Sequence, residues 1–311
     1  MTDLAKGQVL SRFLPPQGER RADCSIRLEP QGVLGQIAPH SHTKLRFMAR
    51  SALLNIMVTA AFKAGRSLTR DFGEVENLQV SVKGPADFVS NADRAAEKIV
   101  HDELSKARPT YGFLMEEGGE IKGTDGQHRW IIDPLDGTTN FLHGIPLFAV
   151  AIALQRGEEI VASVIYNPIT EELYVAEKGG GAWLDDKQRL RVANRKHLAD
   201  AVAVTGINSQ GRDSDMLELR QLVQVVPAVA GIRRTGSAST DFAWLAAGRF
   251  DAYWEAGLKP WDVAPGWLLL REAGGTMTDF AGTAGSIWNG QVVAGNETIQ
   301  GQLLKIIKGV K

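Results

Sequence analysis

From Met48 onward, apolar residues recur at helical spacing. Ala49, Leu53, Ile56, Met57, Ala60, Ala64 and Leu68 form a stripe that predicts a helix ending near Gly73. Val80-Ser-Val-Lys83 reads as a strand leading into an irregular loop. Ser90-Asn-Ala-Asp93 has the form of a capping box, with Asp in place of the usual Glu. It opens a second predicted helix through about Ala107, whose apolar face carries Ile99, Val100 and Leu104. Short apolar runs then predict strands at 110–115, 130–132, 147–154, 160–166 and 173–177. Gly179-Gly-Gly181 reads as a tight turn into a hairpin ending near Trp183, since no Gly-Lys-Ser/Thr follows to make a phosphate loop. Asp185-Asp186 reads as a charged surface turn neutralised by Lys187 and Arg189. The second half alternates again. A strand at 201–205 precedes a helix from Asp213 to Val225 with Leu217 and Leu222 inward. Ser237 then caps a helix through Ala247, and strands follow at 250–255 and 276–280.

The first 47 residues break this pattern. Leu14-Pro-Pro-Gln-Gly-Glu-Arg-Arg21 is polar and turn-rich, and Pro30, Gly32, Gly35 and Pro39 interrupt any helical period. No apolar stretch precedes a small-residue cleavage site, so this is not a secretory signal. Residues 1–47 read as a disordered or loosely attached extension, with Met48 an alternative start. The remainder, 48–311, reads as one domain of two closely packed halves, about 48–190 and 191–311.

Composition narrows the function classes. The chain of 311 residues is 44% apolar and 23% charged, with a formal charge of −1. A near-neutral chain without a basic stripe argues against direct nucleic-acid binding, and no apolar run is long enough to span a bilayer. The single cysteine, Cys24, excludes an internal disulfide and suits a reducing cytoplasm. The six histidines show no zinc-like spacing; His143 reads as a surface or packing residue.

One stretch concentrates chemistry: Trp130-Ile-Ile-Asp133-Pro-Leu-Asp136-Gly-Thr138-Thr-Asn-Phe141. A short strand, Trp130 to Ile132, delivers Asp133 into a Pro- and Gly-containing turn that brings Asp136 back toward it. Two carboxylates on one rigid turn repel, and a cation between them relieves that repulsion. Thr138 and Thr139 then open a helix whose free N–H groups suit a phosphate. The plainer alternative is a strand, an Asx-type turn and a capped helix, since these residue types populate turns in any case.

The whole string WIIDPLDGTTNF resembles the signature of the inositol monophosphatase family, magnesium-dependent and lithium-sensitive phosphomonoesterases. Three further segments carry the same resemblance in order. Lys83, Asp87-Phe-Val-Ser-Asn-Ala-Asp93 is similar to a family segment ending in an Asp. Glu116-Glu117 is similar to its Gly-Glu-Glu, with Met115 where the family usually has Gly. Trp261-Asp262-Val-Ala-Pro-Gly266 with Glu272-Ala-Gly-Gly275 is similar to its second signature.

The resemblance implies the layered α+β (αβαβα) sugar-phosphatase fold. It also implies two or three Mg2+ ions, two of them sharing Asp133, held by Glu116, Asp133, Asp136, Asp262 and the Leu135 carbonyl. Glu116, Thr138 and Asp93 would activate and orient the attacking water, and Glu117 would support from behind. Gly137, Thr138 and Thr139 would bind phosphate; Ser237, Ala238 and Glu255 would contact the alcohol. The implied substrate is inositol monophosphate or a related sugar or polyol phosphate, handled by a cytoplasmic homodimer. Fructose-1,6-bisphosphatase and histidinol-phosphatase share the frame. Adenosine 3′,5′-bisphosphate phosphatase is disfavoured by Thr139-Asn140-Phe141, where that enzyme has Lys-Glu-Phe. Some bacterial relatives bind the transcription apparatus, so an antitermination-associated partner is the alternative from a different class.

Overall fold

The computed structural model describes residues 48–72, 80–84, 87–207 and 216–310, with 80–84 and 87–90 as backbone only. The 1–47 extension and Asp213 to Asp215, where the fourth helix is expected to begin, lie outside the described residues, as do the side chains of Lys83, Asp87 and Ser90.

In chain order, α1 (Ala52–Phe72) is followed by the hairpin β1 (Val80–Gly84) and β2 (Asp87–Ser90), then α2 (Asn91–Ala107). Next come β3 (Gly112–Met115), β4 (Gly119–Ile121), β5 (His128–Asp136) and the single turn α3 (Thr138–Leu142). Five antiparallel strands continue the same sheet: β6 (Ala149–Arg156), β7 (Glu159–Asn167), β8 (Glu172–Glu177), β9 (Gly181–Leu184) and β10 (Gln188–Arg189). A second sheet is built from β11 (Val202–Thr205), β12 (Gly231–Arg233), β13 (Ala252–Ala256), β14 (Thr276–Thr278) and β15 (Gln291–Gly295). Among its elements stand α4 (Leu217–Val225), α5 (Ala238–Ala246), α6 (Pro260–Glu272) and α7 (Glu297–Lys308).

These elements stack as αβαβα. The first sheet, in the order β10-β9-β8-β7-β6-β5-β3-β4, carries α1 and α2 on one face and α5 and α6 on the other. The second, in the order β12-β11-β13-β15-β14, packs α5 and α6 on its inner side and α7 outside, with α4 against α7. Strand β6 shows why an unbroken apolar run folds this way. Val150, Ile152 and Leu154 enter the core under α1 and α2, whereas Ala149, Ala151 and Ala153 enter the core shared with α5 and α6. Alternation persists, but both faces are buried, so both sets must be apolar. The alanines leave room for α6 to approach. Helix α6 in turn presents Gly266 to α5: a Cβ there would fall 2.2 Å from Phe242 Cγ. Gly266→Ala is therefore expected to cost about 1–3 kcal/mol through overpacking, measured as a lowered urea midpoint at unchanged m.

Three expectations change in detail. The strand expected at 130–132 runs from His128 to Asp136, so both aspartates belong to β5, and its pairing with β6 slips between Asp133 and Asp136. The pleat is broken by this irregularity rather than by a separate turn. Asp186 pairs with Arg50, its Nε donating at 2.7 Å, instead of with Lys187 or Arg189. The start of the domain is thereby pinned to the β9–β10 turn, where Asp185 and Asp186 both have positive φ. Described α4 begins at Leu217, and its most buried residues are Gln221 and Val225; Leu222 is partly buried and Leu217 half-buried. Among the described residues no helix is long and apolar enough to cross a membrane.

Candidate active site

Parallel pairing of β3 with β5 sets Met115 opposite Ile132, so the next residue on each strand is Glu116 and Asp133. Glu116 N–H donates to the Ile132 carbonyl at 3.3 Å, which fixes the two acids side by side. Asp133 is 1% exposed. Its carboxyl is pushed well up, first by burial and then by Glu116, Asp136, Asp262 and Asp93. Acids from α2, the turn after β3, β5 and α6, spread from residue 93 to residue 262, therefore act on one carboxylate.

Asp133, Asp136 and Asp262 are anchored by protein donors. Asp133 Oδ1 accepts from Leu135 N–H at 3.1 Å. Asp136 Oδ2 accepts from the Ser237 hydroxyl at 2.8 Å and from Ser239 N–H. Burial raises Asp136, and the Ser237 and Ser239 donors oppose that rise. Asp262 stands at the third position of α6, where its Oδ2 accepts from the N-cap N–H of Lys259 at 2.7 Å. It is raised by burial first and then by Asp136.

Thr138 joins this group to α2. Its hydroxyl lies 3.0 Å from the Leu135 carbonyl and 3.4 Å from Asp93 Oδ2. Gly137 precedes it at φ 98, a left-handed conformation open to glycine, and a Cβ there would lie 3.0 Å from the Leu147 carbonyl. Thr139 is exposed at the start of α3, and His143 is exposed just beyond its end. Glu117 pairs with Arg94 at 3.9 Å. Met115 is buried, and its Cε lies 2.7 Å from where a Gly118 Cβ would sit.

On the second sheet, Glu255 ends β13 and accepts from the Tyr253 hydroxyl at 2.7 Å. Burial pushes its carboxyl up to about 7. Gly206 leaves it space, since a Cβ there would fall 1.8 Å from Glu255 Oε1. Ser237 caps α5 by accepting from Thr240 N–H, so its hydroxyl is engaged at both ends, while half-buried Ala238 opens the helix behind it.

Several residues that tie the site together do not stand out by residue type. Asn140 donates its amide to the Leu147 carbonyl at 2.7 Å and to the Thr235 carbonyl at 2.8 Å, stapling α3 to the segment that holds Asp136. Asp241 accepts from the Thr235 hydroxyl at 2.6 Å, and Glu272 accepts from Gly179 and Gly181 N–H, fixing the end of α6 to the β8–β9 turn. Asn140 lies within the recognisable string, but its partner 95 residues away is invisible without the fold. Asn140→Ala strands two carbonyls and is expected to destabilise the protein by about 2–4 kcal/mol. Thermal unfolding monitored by circular dichroism measures this.

The donor set fits a hard divalent cation: carboxylate and carbonyl oxygens, negative charge in excess, and a buried centre. Among the described residues no three His, Cys, Asp or Glu side chains already close on a common point.

The frame is that of the layered α+β phosphatases. The chain belongs to the inositol monophosphatase family, whose model matches residues 49–311. It is 62% identical over 261 residues to the inositol-1-monophosphatase of Rhizobium meliloti, covering 84% of this chain and 98% of that protein. It is 42% identical over 260 residues to the Nus factor SuhB of Pseudomonas aeruginosa, covering 82% and 96%. The crystal structure of the extragenic suppressor protein suhB from Bartonella henselae superimposes with a TM-score of 0.80 at 56% identity, covering 83% of this chain and 99% of that one. The family generally uses metal ions.

Proposed function

We propose that residues 48–311 form a Mg2+-dependent phosphomonoesterase that hydrolyses inositol monophosphate, or a related small polyol phosphate, to the alcohol and phosphate. The observation that carries this is buried Asp133 set beside Glu116 at the paired ends of β5 and β3, with Asp136, Asp262 and Asp93 near enough to act on it, an excess of like charge that suits divalent cations. Glu116, Asp133, Asp136, Asp262 and the Leu135 carbonyl would hold two or three Mg2+. When bound, such ions supply Lewis acidity toward the phosphate and leaving oxygen and make a nearby water a better nucleophile.

The side chains do the positioning. Thr138, with its proton turned to Asp93, leaves its oxygen lone pairs to accept from the attacking water. Glu116 accepts the proton that water releases. Gly137, Thr138 and Thr139 direct N–H groups at the phosphate oxygens. Ser237 and Ala238 offer backbone to the alcohol ring, and Glu255 accepts from one of its hydroxyls. The relatives named inositol-1-monophosphatase support this substrate class.

Phosphate release is to be measured on inositol, fructose, histidinol and nucleotide phosphates, with Mg2+, with chelator and with Li+. Fastest Mg2+-dependent turnover of inositol 1-phosphate, suppressed by Li+, is expected. Preference for fructose 1,6-bisphosphate or histidinol phosphate would move the chain to those activities on the same frame. We also read it as a cytoplasmic homodimer of two-halved domains joined near residue 190, with 1–47 an extension; light scattering tests the dimer.

The relatives named Nus factor SuhB support a second reading, a partner in the transcription complex. An Asp136→Asn protein that still captures RNA polymerase from lysate would favour it over catalysis as the selected role.

A further inference from the structure

Helix α2 carries a second acid one turn beyond Asp93. Glu97 is 7% exposed and lies on the same face, next to Ala96 and Val100 of the buried core. Its Oε2 accepts from Glu117 N–H at 2.9 Å. Gly118 makes this wrap possible: a Cβ there would lie 3.0 Å from Glu97 Oε1 and 2.7 Å from Met115 Cε. The turn that carries Glu116 is thus gripped on both sides. Strand β5 holds it through Ile132, and α2 holds it through Glu97.

We propose that Glu97 is a positioning residue that sets Glu116 relative to Asp93. Because both acids stand on one rigid helix, the turn bearing Glu116 is indexed to the same element that orients Thr138. Glu97 does not itself reach the reacting atoms. It fixes where the Glu116 carboxylate can stand when an ion binds, so its removal weakens the ion before it weakens the ester. The inference rests on the metal-phosphatase reading of the site.

The test is Mg2+ titration of the metal-free protein by calorimetry and by melting temperature, alongside kcat and KM. Glu97→Ala is expected to weaken Mg2+ binding by about 10–100-fold and to lower kcat at fixed Mg2+, with KM little changed. Glu97→Gln retains one carbonyl acceptor and is expected to recover most of the Mg2+ affinity. Should Glu97→Ala fail to fold, Gly118→Ala pushes the carboxylate away without removing it and is expected to shift the Mg2+ midpoint in the same direction. Mg2+ affinity within about twofold of the parent for Glu97→Ala, or equal losses in Gln and Ala, overturns the proposal. A parent protein that binds no Mg2+ at all overturns the metal reading as well, whereas tight binding in parent and Glu97→Ala alike removes only the role of Glu97.

Discussion

Asp133→Asn is expected to abolish turnover and, at the same time, to raise the melting temperature of the metal-free protein. The two effects share one cause. Asp133 is buried, and its neighbours Glu116, Asp136, Asp262 and Asp93 all carry the same charge. Asn keeps the shape and retains an oxygen to accept from Leu135 N–H, now 3.1 Å from Oδ1. It also turns an N–H2 toward the surrounding acids. Relief of like-charge contact should stabilise the ion-free fold by about 1–3 kcal/mol, roughly 2–6 °C for a domain of this size. Activity should fall by about a thousandfold or more, because a ligand of the proposed ions is gone. The Mg2+-induced rise in melting temperature should shrink with it. A variant that is less stable without metal, or that keeps its rate at saturating Mg2+, contradicts the electrostatic reading of the cluster.

Thr138→Val is expected to separate water activation from ion binding. Valine matches threonine in shape but cannot sit as a hydroxyl between Asp93 and the Leu135 carbonyl. Loss of the oriented hydroxyl should reduce kcat by about 10^2–10^4, while KM and the Mg2+ midpoint stay near the parent values. Asp93→Asn should produce a loss of similar size, and the double variant little more than either alone, since the pair acts as one unit. Single-turnover phosphate release at saturating Mg2+ measures this. Fully additive losses would mean that Asp93 and Thr138 work independently.

How much of this was readable from residues alone depends on range. The α1 stripe was legible in its second half, where Met57, Ala60, Ala64 and Leu68 are buried at the local period; Leu53 and Ile56 are only partly buried, Ala49 is exposed ahead of the helix, and Leu54 takes the buried place instead. The β6 run was legible as a strand, yet its division into Ala149-Ala151-Ala153 and Val150-Ile152-Leu154 faces needs both layers in view. The extent of β5 was misjudged because Pro134 and the acids on either side of it have turn chemistry, whereas pairing with β6 holds them in the sheet despite the slip. In the site, the strings around Asp133 and Asp262 stood out as motifs. Nothing local told that Ser237 and Ser239 hold Asp136 from 101 and 103 residues away. Glu97 had one faint signal, its place four residues after Asp93 on the buried face of α2. Its partner, a backbone N–H, leaves no trace in sequence.

The most direct test is anomalous diffraction from crystals grown with Mn2+ and phosphate. Expected are peaks enclosed by the carboxylates of Glu116, Asp133, Asp136 and Asp262, with metal–oxygen distances of about 2.1 Å and phosphate seated at Gly137 to Thr139. Density for the metal elsewhere on the surface, with these four acids bridging nothing, would contradict the central claim.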